Sequence, residues 1–255
     1  MNLIINADDF GLTLGLSKGI IIGMKEGIIT DTSAMVNSKD FEASVLLAKE
    51  ARIESMGVHL NITALRPLSA IDEVKSIVDF NGYFYKNPNV IPTPYNYMEI
   101  EKELKEQIEK FLKTGLGLDH LDVHHGFNTI DKKIFEITIN LANKYKIPLR
   151  RNTDKFRNIK EYTVIMTEYF SKEFYSDNAT EEAMKEILKK YKDNEGTLEI
   201  MTHPGFVDEE LINISSYNNN RKKELDVLTN EGMKKFLRDN KINLISYRLL
   251  NKNAL

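Results

Sequence analysis

Acidic and histidine side chains recur where short apolar runs of this chain end: Asp8 and Asp9 after Leu3-Ile4-Ile5, His59 after Met56-Gly57-Val58, His124 and His125 after Leu121-Asp122-Val123, and His203 after Ile200-Met201-Thr202. Asn37, Asn61, Arg150 and Arg151 follow apolar runs of their own. Imidazole nitrogen and carboxylate oxygen together form the donor set of zinc and other borderline divalent ions, and three such ligands leave positions open for water and substrate. The chain has no cysteine, so a thiolate site and a disulfide framework are both excluded and any bound metal takes His, Asp or Glu.

Plainer roles are open to the same residues. Asp9 ahead of a helix can be an N-cap, and a strand-end histidine can make an ordinary hydrogen bond. Asp8 fits that reading poorly, because one carboxylate suffices for a cap and a second beside it adds repulsion unless a cation intervenes. Neighbours on a strand point to opposite faces, so one of His124 and His125 enters a common site. His120 shares the face of His124 but lies deeper and reads as packing. In His203-Pro204-Gly205-Phe206 the proline and glycine fix a turn that either sets the imidazole over a site or only reverses the chain.

Short apolar runs alternate with amphipathic stretches from end to end. The pattern predicts strands over 3–5, 33–36, 56–60, 119–123, 147–150, 197–202 and 242–247. It predicts helices over 17–26, 41–52 with Asp40 as N-cap, the stretch carrying Ile100, Leu104, Ile108 and Leu112 up to Gly115, 133–145 and 181–190. Strands separated by helices imply a parallel sheet, and 255 residues suit one α/β domain over 1–255, a TIM-like (β/α) barrel with some distortion. In such a fold the loops after the strands converge on one mouth, which would gather the polar residues. Residues 65–98 interrupt the rhythm with Pro67, Pro88, Pro92 and Pro94 among Phe80, Tyr83, Phe84, Tyr85, Tyr95 and Tyr97, and read as an irregular substrate-facing insertion. The run Asn218-Asn219-Asn220-Arg221-Lys222-Lys223 reads as a surface loop without a functional role.

A formal net charge of -3 provides no field suited to nucleic acid. No apolar stretch reaches membrane-spanning length and Met1-Asn2-Leu3-Ile4-Ile5 carries no basic leader, so a soluble, cytoplasmic protein without a membrane partner is expected.

Several separated motifs, in order, resemble the YdjC-like carbohydrate deacetylases, chitooligosaccharide deacetylase among them: Asn6-Ala7-Asp8-Asp9-Phe10-Gly11, Asp31 to Asn37, Gly57-Val58-His59-Leu60-Asn61, His120 to His125, Phe174-Tyr175, His203-Pro204-Gly205-Phe206 and Glu224 to Thr229. At Gly126 and Asn128 the chain departs from the further histidines that chitooligosaccharide deacetylases carry. The resemblance implies Asp9, His59 and His124 as ligands of a divalent ion, magnesium or zinc before cobalt, manganese or nickel. It implies Asp8 as catalytic base and His203 as the group beside the leaving amine. Arg150, the arginine after a strand, would orient Asp8 by a charge-assisted hydrogen bond or touch substrate, a structural ion pair being the plainer role, and Asn61 and His125 would orient groups or touch substrate. The substrate would be an N-acetylated sugar such as diacetylchitobiose, and a homodimer is compatible with such barrels. Two other functions use the same residue types: a metal-dependent sugar isomerase or oxygenase, and a non-catalytic carbohydrate-binding protein with a structural metal.

Overall fold

In a computed structural model, which describes residues 1–156 and 163–254, the chain builds a seven-stranded parallel sheet. The strands are β1 (Asn2–Phe10), β2 (Asp31–Ala34), β3 (Ser55–Leu60), β4 (Gly117–Val123), β5 (Tyr169–Ser171), β6 (Thr197–Thr202) and β7 (Asn243–Leu244). Their order is β4-β3-β2-β1-β6-β5, with β7 also paired to β1. The helices are α1 (Leu14–Glu26), α2 (Phe41–Glu50), α3 (Tyr97–Leu112), α4 (Lys132–Tyr145), α5 (Glu181–Tyr191), α6 (Glu209–Ile214), α7 (Asn219–Leu228), α8 (Glu231–Asp239) and α9 (Tyr247–Ala254).

Strand alternation sorts the two faces of the sheet by polarity. Leu3, Ile5 and Ala7 of β1, Met56, Val58 and Leu60 of β3, Leu121 and Val123 of β4, and Leu198 and Ile200 of β6 join one apolar cluster with Ile20, Leu104, Ile108, Phe111, Ile134 and Leu188 of the helices. The alternate positions carry Asn6, Asp8, Ser33, His59, His120, Asp122 and Glu199, all buried. In a flat sheet β4 and β6, four steps apart, would lie roughly 19 Å from each other. Yet Arg150 touches Asp122 of β4 at 3.0 Å and Glu199 of β6 at 2.7 Å. The sheet therefore curls around its polar face, as a distorted barrel does. Beyond β4 the ladder continues through a parallel bridge from Leu121 to Leu149, whose N–H donates to Ile165 O at 2.9 Å.

Several local expectations are corrected. The run 147–150 forms that bridge at Leu149 instead of a strand, and the last strand is only β7, with Tyr247 opening α9. Asp40 makes no cap bond to its own helix; its Oδ2 accepts from Leu14 N at 3.1 Å, so it ties the start of α1 to α2, while Thr13 caps α1. The predicted surface loop at 218–223 is instead the start of α7, with Arg221 buried. The irregular excursion is present, holding only short 3-10 turns up to α3. Buried Glu103 of α3 pins it by accepting from Leu68 N at 3.0 Å and Ser69 N at 2.9 Å.

Gly57 makes room for the His120 ring, since a Cβ there would lie 2.3–2.6 Å from its atoms. Gly57→Ala should destabilise the fold by about 1–3 kcal/mol through overpacking, read as a lower urea midpoint at unchanged m-value.

Candidate functional site

The carboxyl end of β1 breaks the alternation that would send Asp8 and Asp9 to opposite faces. Pairing with β2 slips between Ala7 and Phe10, and Asp9 takes φ 71, a left-handed conformation that costs a non-glycine residue energy. Both carboxylates consequently line one cavity of about 1070 Å³ at the strand ends. His124 and His125 are brought together in the same way. The strand stops at Val123, a 3-10 turn follows with His125 at φ 52, and both rings line the cavity with centroids 3.8 Å apart. The expectation of opposite faces fails because both histidines lie past the end of the strand, in the 3-10 turn, where strand alternation does not apply.

Asp9, His59 and His124 present donor atoms that converge tightly enough to hold a metal ion. His59 Nε2 lies 3.6 Å from Asp9 Oδ1 and 3.2 Å from His124 Nδ1, and His124 Nδ1 lies 3.4 Å from Asp9 Oδ1. Asp9 Oδ1 is buried without a hydrogen-bond partner, while Asp9 Oδ2 accepts from Arg221 Nη2 at 2.7 Å. On the far side of its ring, His59 Nδ1 meets Asp122 Oδ1 at 2.7 Å, an arrangement that fixes the ring and points Nε2 at the convergence. Burial opposes the charge on Asp9, but Arg221 and the two histidines outweigh it and hold the carboxyl well below its usual range. Burial likewise opposes a charge on His59, yet Asp122, Asp8 and Asp9 raise it to about 9. A buried carboxylate oxygen without a partner, beside two imidazole nitrogens, fits a divalent cation.

Asp8 sits beside this group without joining it directly. Arg150 grips it in a fork, Nη1 to Oδ2 and Nη2 to Oδ1 at 2.7 Å each, and Asn6 Nδ2 donates to Oδ1 at 2.9 Å. His203 Nε2 stands 4.0 Å from Asp8 Oδ2. The His203 backbone N–H donates to Glu224 of α7, which also accepts from the Tyr217 hydroxyl. Its turn is seated on α1, where a Cβ on Gly19 would come within 2.6 Å of Gly205 Cα. Burial pulls His203 down to about 4, and burial together with His124 does the same to His125.

Asn61 is not brought to the cavity. Its Oδ1 accepts from Thr63 N and its Nδ2 donates to Ala64 O at 2.7 Å, which shapes the loop after β3. Arg151 turns away to Asp154 and the carbonyls of Thr167 and Glu168. The aromatic residues of the excursion also miss the cavity: from 65–98 only Leu65 and Lys86 line it, and Phe80 is 97% exposed. The aromatic lining comes instead from Phe170, Tyr175 and Tyr217, the last two stacked at 4.2 Å. Sequence reasoning missed Asp122, Glu199, Arg221 and Glu224 as partners of these groups. Alternation in His120-Leu121-Asp122-Val123-His124 did carry a signal for Asp122.

The model of the YdjC-like protein family matches residues 2–239, and the chain belongs to that family. A relative from Clostridium beijerinckii named carbohydrate deacetylase is 38% identical over 97% of this chain and 99% of its own. Another of that name from Brevibacillus brevis is 36% identical over 97% of this chain and 98% of its own. A crystal structure from Enterococcus faecalis, described as a putative cellobiose-phosphate cleavage protein, superposes with a TM-score of 0.91 at 32% identity, covering 98% of both chains. Among the described residues no helix is long and apolar enough to cross a membrane.

A ligand histidine must be neutral, so a cation bound at Asp9, His59 and His124 displaces the proton that His59, raised to about 9 by the surrounding carboxylates, carries at pH 7. Zinc binding at pH 7 should release about one proton and weaken as pH falls, measured by calorimetry in buffers of different ionisation enthalpy; proton-neutral binding would show the ring already uncharged. In the metal-free protein the raised value stabilises the fold fully below the ordinary 6.5, and that contribution disappears as pH rises through about 9.

Proposed function

We propose that this protein is a metal-dependent hydrolase that removes the acetyl group from an N-acetylated sugar or short oligosaccharide of the chitooligosaccharide type. The observation that carries the reading is the buried Asp9 Oδ1, without a partner and flanked by two histidine nitrogens, with the clamped carboxylate of Asp8 alongside. The name carbohydrate deacetylase on relatives that match end to end supports the same reaction.

Asp9, His59 and His124 would hold the divalent ion, which when bound polarises the acetyl carbonyl and acidifies water. Arg150 fixes the Asp8 carboxylate in one orientation, so Asp8 is placed to take the proton of the attacking water. His203 is neutral at rest and needs a proton before it can donate one to the departing amine. Asp8 Oδ2, 4.0 Å from His203 Nε2, is the near source, directly or through one water. Glu224 anchors the His203 backbone while the rings of Tyr175 and Tyr217 stand edge-on to it, suited to the apolar face of a sugar ring.

Metal-reconstituted protein incubated with di-N-acetylchitobiose and a panel of other N-acetylated sugars should release acetate, and a chelator should abolish the release. Acetate from none of the sugars by metal-loaded protein would favour the isomerase or sugar-binding function instead. Asp8→Asn should keep the metal at Asp9, His59 and His124 and lose at least ~100-fold in kcat, whereas His59→Ala should lose the ion at the mouth together with turnover. Full activity in Asp8→Asn would remove the base from the mechanism.

A further inference from the structure

At the opposite end of the barrel's polar face lies a second group of donors that the proposed reaction does not use. Asp31 opens β2, Asp119 and His120 lie on β4, and one donor atom from each falls within 4.8 Å of the others, all three residues buried. The His120 ring is fixed in its plane. It stacks on Tyr247 with centroids 4.0 Å apart at 12°, and the missing side chain of Gly57 leaves space for its atoms. His120 Nδ1 meets Asp119 Oδ1 at 2.7 Å, the same separation as His59 Nδ1 from Asp122 Oδ1 at the mouth. As at the mouth, a carboxylate on one ring nitrogen leaves the other for a further partner, and here His120 Nε2 is buried with none.

Asp31 supplies a second atom of the same kind. Its Oδ1 accepts from Tyr247 N at 3.1 Å, whereas its Oδ2 is buried without a partner. A buried carboxylate oxygen and a buried imidazole nitrogen, both unpaired in one cluster, are costly unless something satisfies them. Asp119 also borders a cavity of about 410 Å³ beside α9, lined by Ser55, Leu118 and Asn251. Arg248 and Lys252 line it too; Arg248 is engaged by Glu54 at 2.9 Å.

We propose that Asp31 and His120, with Asp119 orienting the His120 ring as Asp122 orients His59, form a second divalent-cation site, structural in kind, that fastens β2, β4 and the start of α9 together. A carboxylate oxygen and an imidazole nitrogen, with water completing the shell, suit zinc, manganese or cobalt. The Tyr247 hydroxyl donates to Glu199, which holds Arg150, so the cation stabilises the same buried network that orients Asp8.

The test uses zinc alone on metal-stripped protein, with bound metal measured by mass spectrometry after gel filtration and folding checked by far-ultraviolet circular dichroism. His59→Ala removes a ligand at the mouth, so zinc that this folded variant retains reports on the second site. Asp31→Asn keeps the oxygen that accepts from Tyr247 N, and Asp119→Asn is an independent alternative should the first not fold. The expected result is about one zinc per chain in His59→Ala, raising its Tm, with both effects lost when either second substitution is added. No zinc on folded His59→Ala, or zinc that survives both additions, would overturn the site and mean that the cluster holds only protons. Neither result depends on acetate release, so failure of the deacetylase reading is seen separately.

Discussion

Arg150 is the charge around which the interior is organised. Its guanidinium is withdrawn from water and meets Asp8, Asp122 and Glu199, carboxylates from three different strands. Burial opposes its charge, but the surrounding acids outweigh that and hold it well above its ordinary value. Removing any one partner would leave uncompensated charge in a medium of low polarisability, which is far more costly than losing a surface ion pair. The fork on Asp8 and the contact to Asp122, itself the support of His59, mean that one side chain sets the geometry of both the clamped carboxylate and the histidine beside it.

The curl of the sheet follows from the same constraint. An aliphatic inner face could slide and repack, whereas Asn6, Ser33, Asp122 and Arg150 have directional partners at fixed reach. Apolar burial against the helices supplies the non-directional driving force, and the polar inner face selects one arrangement. This departs from a barrel filled by layers of branched aliphatic residues and leaves a hydrogen-bonded chain that runs from Arg150 near the mouth through Glu199 to the Tyr247 hydroxyl at the opposite end.

Two backbone irregularities lie where the donors converge. Asp9 at φ 71 and His125 at φ 52 lie in conformations that cost energy for residues with a side chain, and each redirects a polar group into the cavity. Arg221 from α7 and Asp122 from β4 compensate by engaging the redirected Asp9 and the neighbouring His59.

The α/β class, the parallel order and the strand ends bearing Asp8, Asp9, His59, His124 and His203 were legible in the sequence because apolar periodicity and the residue that ends each run are local properties. The motifs also carried the family, which the family model matches over residues 2–239. The strand-end arginine also allowed Arg150 to be expected on Asp8, 142 positions away, whereas tertiary structure alone decided that Arg221 reaches Asp9 across 212 positions, a distance over which no periodicity carries information. It also decided that Asp9 and His125 turn inward against strand alternation, since a bulge and a left-handed residue depend on the neighbouring strand and turn. Asn61 and the aromatic residues of the excursion show the converse: residue types suited to a site were placed outside the cavity by where the chain packs.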